Sequence, residues 1–447
     1  MKSLKSVWQN WMHDLTIVKV IRNSGYLLFS NVFSVVQSVL TGRLLGIMGF
    51  GVIGTITTFA STLNRLFSFR MNELVVKYYG EAMETNQKER AAAIVKASLF
   101  AESVTALLSF GFCAIFAPYA ARTMADDPSL APQFILYGTI ILANLVMETT
   151  TGVLQVNGQF RVQAVINFIS NLFTATIIVW AYLIHGGLLE IVIAYMAGKF
   201  VLGIGTSLIG FKALRKTLGR GWFKTPLSYL PPIKELAQFA FSTNISSTII
   251  MLVRDNEVLW IAYFLTPLEA GYAKAALAII NFVQLPITPF ISTTYPEINR
   301  AVTQKAWGHV KELLKKVTAI SGVWTIVASI GLAIFGRWLL GIYGADFVPA
   351  YQAMMIFLVG LGFANIFFWN RPLLLSLGMP MVPYRFSLYS GLMKVLLTVL
   401  LVPALGLNME AGLLSAFFLV SVGGIVIRGL KEIHHREKQD GPEEISA

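Results

Sequence analysis

The sequence predicts an all-α, polytopic membrane protein of about twelve transmembrane helices in two six-helix bundles. Three observations carry this. Runs of twenty or more mainly apolar residues recur from end to end of the 447 residues, each long enough for a ~30 Å hydrocarbon core. Only 13% of the chain is charged and its mean hydropathy is +0.66, whereas a soluble domain carries ~25% charged residues. The cations that remain fall mostly in alternate loops, the pattern of the positive-inside rule.

The spans are expected near 24–45, 50–70, 95–117, 133–155, 162–184, 188–211, 236–262, 270–292, 317–340, 347–370, 384–404 and 410–430. Every backbone group in hydrocarbon must be bonded internally, and no span shows the two-residue alternation of a barrel strand, so helices are expected. With the N-terminus inside, 28 of the 35 Lys and Arg residues fall on the cytoplasmic side. Only Arg43, Arg122 and Arg337 fall outside, and both termini are therefore expected in the cytoplasm of a cell with this protein in its inner membrane.

Before the first span, residues 1–23 carry Lys2, Lys5, Trp8, Trp11 and Lys19 around an interrupted apolar pattern. This predicts an interfacial amphipathic segment rather than a cleaved signal. The next expected domain is a six-helix bundle at 24–211. Residues 212–235, with Arg215, Lys216, Arg220 and the Pro231-Pro232 pair, read as a basic cytoplasmic linker. A second bundle at 236–430 and a tail at 431–447 complete the chain. A weak repeat supports the division: Arg43 to Gly51 resembles Phe264 to Gly271, and Lys88-Glu89-Arg90 falls beside His309-Val310-Lys311 at nearly the same offset. Six helices is an even number, so the halves share one orientation.

The net charge of +12 is thus a topological signature, and nucleic acid is not an expected partner. The single cysteine, Cys113, lies in an apolar span and reads as a small hydrophobe. Five scattered histidines show no metal-ligand spacing, and no nucleophile motif or phosphate-cradling glycine loop appears, so neither a cofactor nor a catalytic role is expected.

Charges inside spans are costly and mark candidate pathways. Lys199 and Lys394 lie about half-way through their helices, Lys274 lies near a helix start, and Arg254, Asp255 and Glu257 lie near the outer end of the seventh span. Polar residues also form stripes at steps of three, four and seven. These are Ser30, Ser34, Gln37 and Thr41 in the first span and Thr55, Thr58, Thr62 and Arg65 in the second. Asn244, Ser247 and Arg254 form one in the seventh, and Asn281, Gln284 and Thr288 in the eighth. Hydrogen bonding between packed helices is the competing account of any one stripe. Glu102, Glu148 and Asp255 could bind H⁺ or Na⁺ for energy coupling, or serve as helix caps and lysine partners. Pro286 and Pro289 could kink the eighth span.

Three segments resemble the polysaccharide-biosynthesis, O-antigen flippase-like branch of the multidrug, oligosaccharidyl-lipid and polysaccharide exporter superfamily. They are Arg43-Leu-Leu-Gly46 with Phe50-Gly51, Asp255 followed by Pro267 to Tyr272 and Ala275, and Arg70 to Lys77. The resemblance implies two bundles around a central cavity lined by the striped spans. It implies a flippase that carries a polyprenyl-pyrophosphate oligosaccharide between leaflets by alternating access, with membrane lipids and polysaccharide-assembly proteins as partners. Such a cargo gives Arg65 and Arg70 a role, because a guanidinium fork matches pyrophosphate oxygens. The expected headgroup-binding set is Arg65, Arg70, Arg254, Lys199, Lys394, Ser34, Gln37, Asn244, Asn281 and Gln284. Two alternatives stand: a multidrug antiporter of the same superfamily, whose cavity should be acidic, or a membrane polymerase or glycosyltransferase, which would need a catalytic loop where the outward loops are short.

Overall fold

In the computed structural model, which describes residues 15–440, every regular element is helical. The expected interfacial residues Lys2, Lys5, Trp8 and Trp11 lie outside the described residues. Fourteen longer helices carry the architecture. They are α1 (Leu15–Phe67), α2 (Lys88–Met124), α3 (Ala131–Gly138), α4 (Met147–Val156), α5 (Phe160–Leu183), α6 (Leu188–Leu218) and α7 (Ile233–Ile250). After them come α8 (Glu257–Phe264), α9 (Pro267–Gln284), α10 (Thr288–Thr303), α11 (Trp307–Tyr343), α12 (Tyr351–Ile366), α13 (Met381–Leu405) and α14 (Leu407–Asp440).

Ten stretches among the described residues are long and apolar enough to cross a membrane. Two features reconcile this with the expected twelve. The first two spans form the two limbs of α1, which meet at Gly46 with a left-handed φ of 67°. Only a residue without Cβ takes that conformation at little cost. The seventh span is split into α7, a π-turn at Met251–Asp255 and α8, and is not among the ten.

By packing, the chain divides into two compact units. One is Tyr26–Gly271 and the other runs from Tyr272 onward together with the residues before Tyr26. The first unit therefore takes in the expected linker and the seventh span.

Inside this unit, the stretch after Phe67, which lies between the second and third expected spans, folds into three short helical pieces from Met71 to Glu84. Their Val75, Tyr78 and Tyr79 are buried together with Leu214 and with Trp222 from the expected linker. Charge at Lys77, Glu81 and Glu84 hid an apolar face at helical spacing. Tyr78 donates to the Glu235 carboxylate at 3.0 Å, and burial together with that bond pushes its hydroxyl above the usual tyrosine range.

Two spans are broken where a continuous helix was expected. The fourth is interrupted at Asn144–Val146, between a short turn at Ile140–Ala143 and α4. The eighth is interrupted by a 3-10 turn at Leu285–Ile287, the position at which Pro286 was expected to kink it.

Candidate functional site

The second limb of α1 carries the polar stripe, and its partner in the first unit is the broken seventh span. Just past the end of that span, at the start of α9, glycines bring the limb close: a Cβ at Gly51 would collide with the Pro267 carbonyl oxygen and the Gly271 amide, and one at Gly271 with the Ile47 carbonyl. The two glycines matched by the internal repeat thus touch one another. Fourteen residues on from Gly51, about 21 Å at 1.5 Å per residue, the limb reaches Arg65 and meets the seventh span.

There the Arg65 Nη1 donates to Asp255 Oδ2 at 2.7 Å, and Arg254 Nε donates to Asp255 Oδ1 at 2.9 Å. One turn away Thr62 donates to Asn256 Oδ1 at 2.9 Å. Lys199, from α6, lies close enough to Arg65 for the two cations to repel. One carboxylate thus bridges two arginines, with a third cation beside Arg65, a surplus of positive charge. Arg65 is 60% exposed and Arg254 52%, so their remaining N–H groups are open to a ligand.

Arg254, Asp255 and Glu257 fall in the last third of the seventh span, at and just after its π-turn. After the π-turn and Asn256, the apolar run Val258 to Phe264 continues the span as α8, so Asp255 lies about 14 Å in from Phe264. A π-turn inserts an extra residue and often marks a functional site. Arg65 lies in the last turn of α1, so the cluster joins the interior of the seventh span to the end of the second.

The other expected residues are distributed as follows. Arg70, left-handed with φ 50°, pairs with Glu73 at 2.5 Å. Asn244 donates its side-chain amide to the Ser68 carbonyl, just past the end of α1. Gln37 is buried and donates to Asn171 O at 2.8 Å, a bond between packed helices. Ser34 is exposed on the first limb. Glu102 and Glu148 lie together at the break before α4, where Glu102 accepts from the amides of Glu148 and Thr149 at 2.7 and 2.9 Å.

In the second unit, Asn281 is exposed on α9 and Gln284 is half-buried at its end. Lys394 is buried and bonded to Glu410 at 2.6 Å, while Thr398 donates to the same carboxylate at 2.8 Å. Sequence reasoning passed over Glu410 and Asn256. A signal existed for Glu410, an acidic residue at the start of an apolar span that follows a span with a deep lysine.

Asp127, in the short loop after α2, has a structural task. Asp127 caps the turn Pro128–Leu130, accepting from the Ser129 amide at 2.9 Å, and its bonds from Ser129 hold its carboxyl below the usual range.

A chain of this many long apolar helices, with a few charged groups gathered between them, is a multi-pass membrane protein. Residues 19–302 match the family model described as polysaccharide biosynthesis protein, and the chain belongs to that family. It is 24% identical over 352 residues to the inner membrane protein YghQ of Escherichia coli (strain K12), covering 77% of this chain and 98% of that one. Its fold is similar to that of an inward-facing multidrug resistance MATE family transporter of the MOP superfamily, with TM-score 0.75 at 12% identity over 92% of this chain and 96% of the other. It is likewise similar to the lipid II flippase MurJ in an inward closed conformation, with TM-score 0.66 at 13% identity over 95% and 94%.

Proposed function

We propose that this chain moves a lipid-linked, polyprenyl-pyrophosphate oligosaccharide from the inner to the outer leaflet for surface polysaccharide assembly, by alternating access. The observation that carries the reading is the exposed pair Arg65 and Arg254 on Asp255, with Lys199 beside Arg65. A pyrophosphate carries the opposite charge, and its oxygens accept paired bonds from a guanidinium fork. Asp255 bonds both arginines, one on each oxygen, and so fixes the two guanidinium groups beside one another. Membership of the polysaccharide biosynthesis family and the likeness to a lipid II flippase support this cargo class. The surplus of cations speaks against organic cations as cargo.

Flipping of a fluorescent undecaprenyl-pyrophosphate oligosaccharide in proteoliposomes tests the proposal. Losing a charge-assisted contact costs ~1.5–3 kcal/mol, so Arg65→Ala is expected to slow flipping roughly tenfold to a hundredfold. Arg65→Lys keeps the charge but not the fork and should fall between. Wild-type efflux of organic cations, with no flipping of several glycans, would replace this reading with the multidrug antiporter.

A further inference from the structure

The break before α4 leaves the first amides of that helix without intrahelical partners, as any helix start does. Glu102, reaching from α2, takes two of them, and the positive end of α4 favours its negative charge. Glu148, one of the residues whose amide Glu102 accepts, brings a second carboxylate to the same place, close enough that the two repel. Its Oε1 accepts from the Ser68 hydroxyl at 2.7 Å. Its Oε2 is shielded from solvent and has no hydrogen-bond partner, and the same is true of Oγ1 of Thr149, which is fully buried and faces Glu102.

The cations on the surrounding elements are engaged elsewhere. Arg65 is bonded to Asp255 and Arg70 to Glu73, and Lys199 lies beside Arg65. Lys96 donates to the Thr225 carbonyl, Arg90 pairs with Glu81, and Lys77 lies over the Tyr78 and Phe239 rings. Among the described residues neither Glu102 nor Glu148 has a salt-bridge partner. Two adjacent carboxylates in a buried site cannot both remain ionised at small cost, and sharing one proton is the simplest relief.

We infer that Glu102 and Glu148 form a proton-binding site in which one exchangeable proton resides at Glu148 Oε2, with the Thr149 hydroxyl against Glu102. Both oxygens of Glu102 are already occupied by amide donors, which leaves the vacant oxygen of Glu148 as the acceptor. Loading takes one proton from water and lowers the charge of the pair from two negative to one. The site is also wired to the polar limb of α1. Ser68, whose hydroxyl holds Glu148, lies in the non-helical joint between Phe67 and Met71, and its carbonyl holds Asn244 of α7. Arg65 stands three residues before that joint. Release of the proton puts a second charge against Glu102 and pulls on the joint that ends the limb bearing Arg65.

Infrared difference spectroscopy on the purified full chain tests this without any cargo, so its result is separable from that of the flipping assay. Wild type is expected to show a protonated-carboxyl band that shifts in D₂O, titrates as a single proton and is unchanged when Na⁺ replaces K⁺. Glu148→Gln, which retains the acceptor for Ser68, should abolish the band. Glu102→Gln should keep it but move its titration midpoint by at least one pH unit, and Thr149→Val should shift its frequency. A band that survives Glu148→Gln overturns the assignment. So does the absence of a band with ²²Na⁺ binding that Glu148→Gln removes, which would make this a sodium site. Should Glu102→Gln not fold, the Glu148→Gln and Thr149→Val results decide.

Discussion

At the scale of single residues, depth and residue type made part of the candidate site legible. Arg65, Arg254, Asp255 and Lys199 stand out in the sequence because charge is rare in spans, but their partnership does not, since Arg65 and Asp255 are 190 positions apart. Lys394 illustrates the other side. It was selected by the same reasoning, and the structure encloses it with Glu410 and Thr398 among side chains that exclude solvent. A buried ion pair that loses one partner leaves a naked charge, which costs ~3–5 kcal/mol, while replacing both by apolar groups is often tolerated. Lys394→Met is therefore expected to lower the melting temperature of the detergent-solubilised protein sharply. Lys394→Met combined with Glu410→Leu should recover most of the loss. Equal melting of wild type and Lys394→Met would show that the pair contributes nothing to the fold.

At the scale of elements, hydropathy located the spans because the bilayer imposes length and composition, yet the irregularities inside them were mostly hidden. The break at Asn144 carries no proline, and the π-turn at Met251–Asp255 was masked by charges that suggested a helix end. The Pro286 break was readable because proline removes a donor wherever it occurs. Gly46 and Gly51 were readable as a turn signature, and their reasons differ. Gly46 is required for its positive φ, with nothing within 4 Å of where a Cβ would stand, so Gly46→Ala should cost only the conformational penalty, ~1–3 kcal/mol. Gly51 is required for space, because the obstructing atoms are backbone and cannot swing away. Gly51→Val must push the second limb of α1 from Pro267 and Gly271, an overpacking that costs at least ~1–3 kcal/mol. It should also displace Arg65 from Asp255. Thermal melting separates the costs, and flipping at a temperature where both variants are folded should fall for Gly51→Val and hold for Gly46→Ala. The opposite order would show that the turn, not the crossing, positions the cluster.

At the scale of the whole molecule, the distribution of cations is the strongest signal in the sequence, and it bears on orientation rather than on fold. The folded stretch from Met71 to Glu84 and the buried Trp222 belong to one cluster, so the basic face expected in the cytoplasm is a packed structure and not a set of loose loops. Its Lys77, Lys96 and Lys224 keep their charge near that face by lying over rings, reaching a carbonyl or staying exposed. If the positive-inside rule governs the chain, Ser228, exposed in the basic segment, and Ser129, exposed beside Asp127, lie on opposite sides of the membrane. Cys113 is buried and is the only cysteine, so Cys113→Ala gives a silent background. In that background, Ser129→Cys should react with an impermeant maleimide on intact spheroplasts, and Ser228→Cys only after permeabilisation. This orientation aims the joint at Ser68, and with it the Glu102–Glu148 pair, toward the cytoplasmic end of the spans. Reversed labelling would invert the chain, so that the proton site would open to the outside and the direction of transport would have to be argued anew.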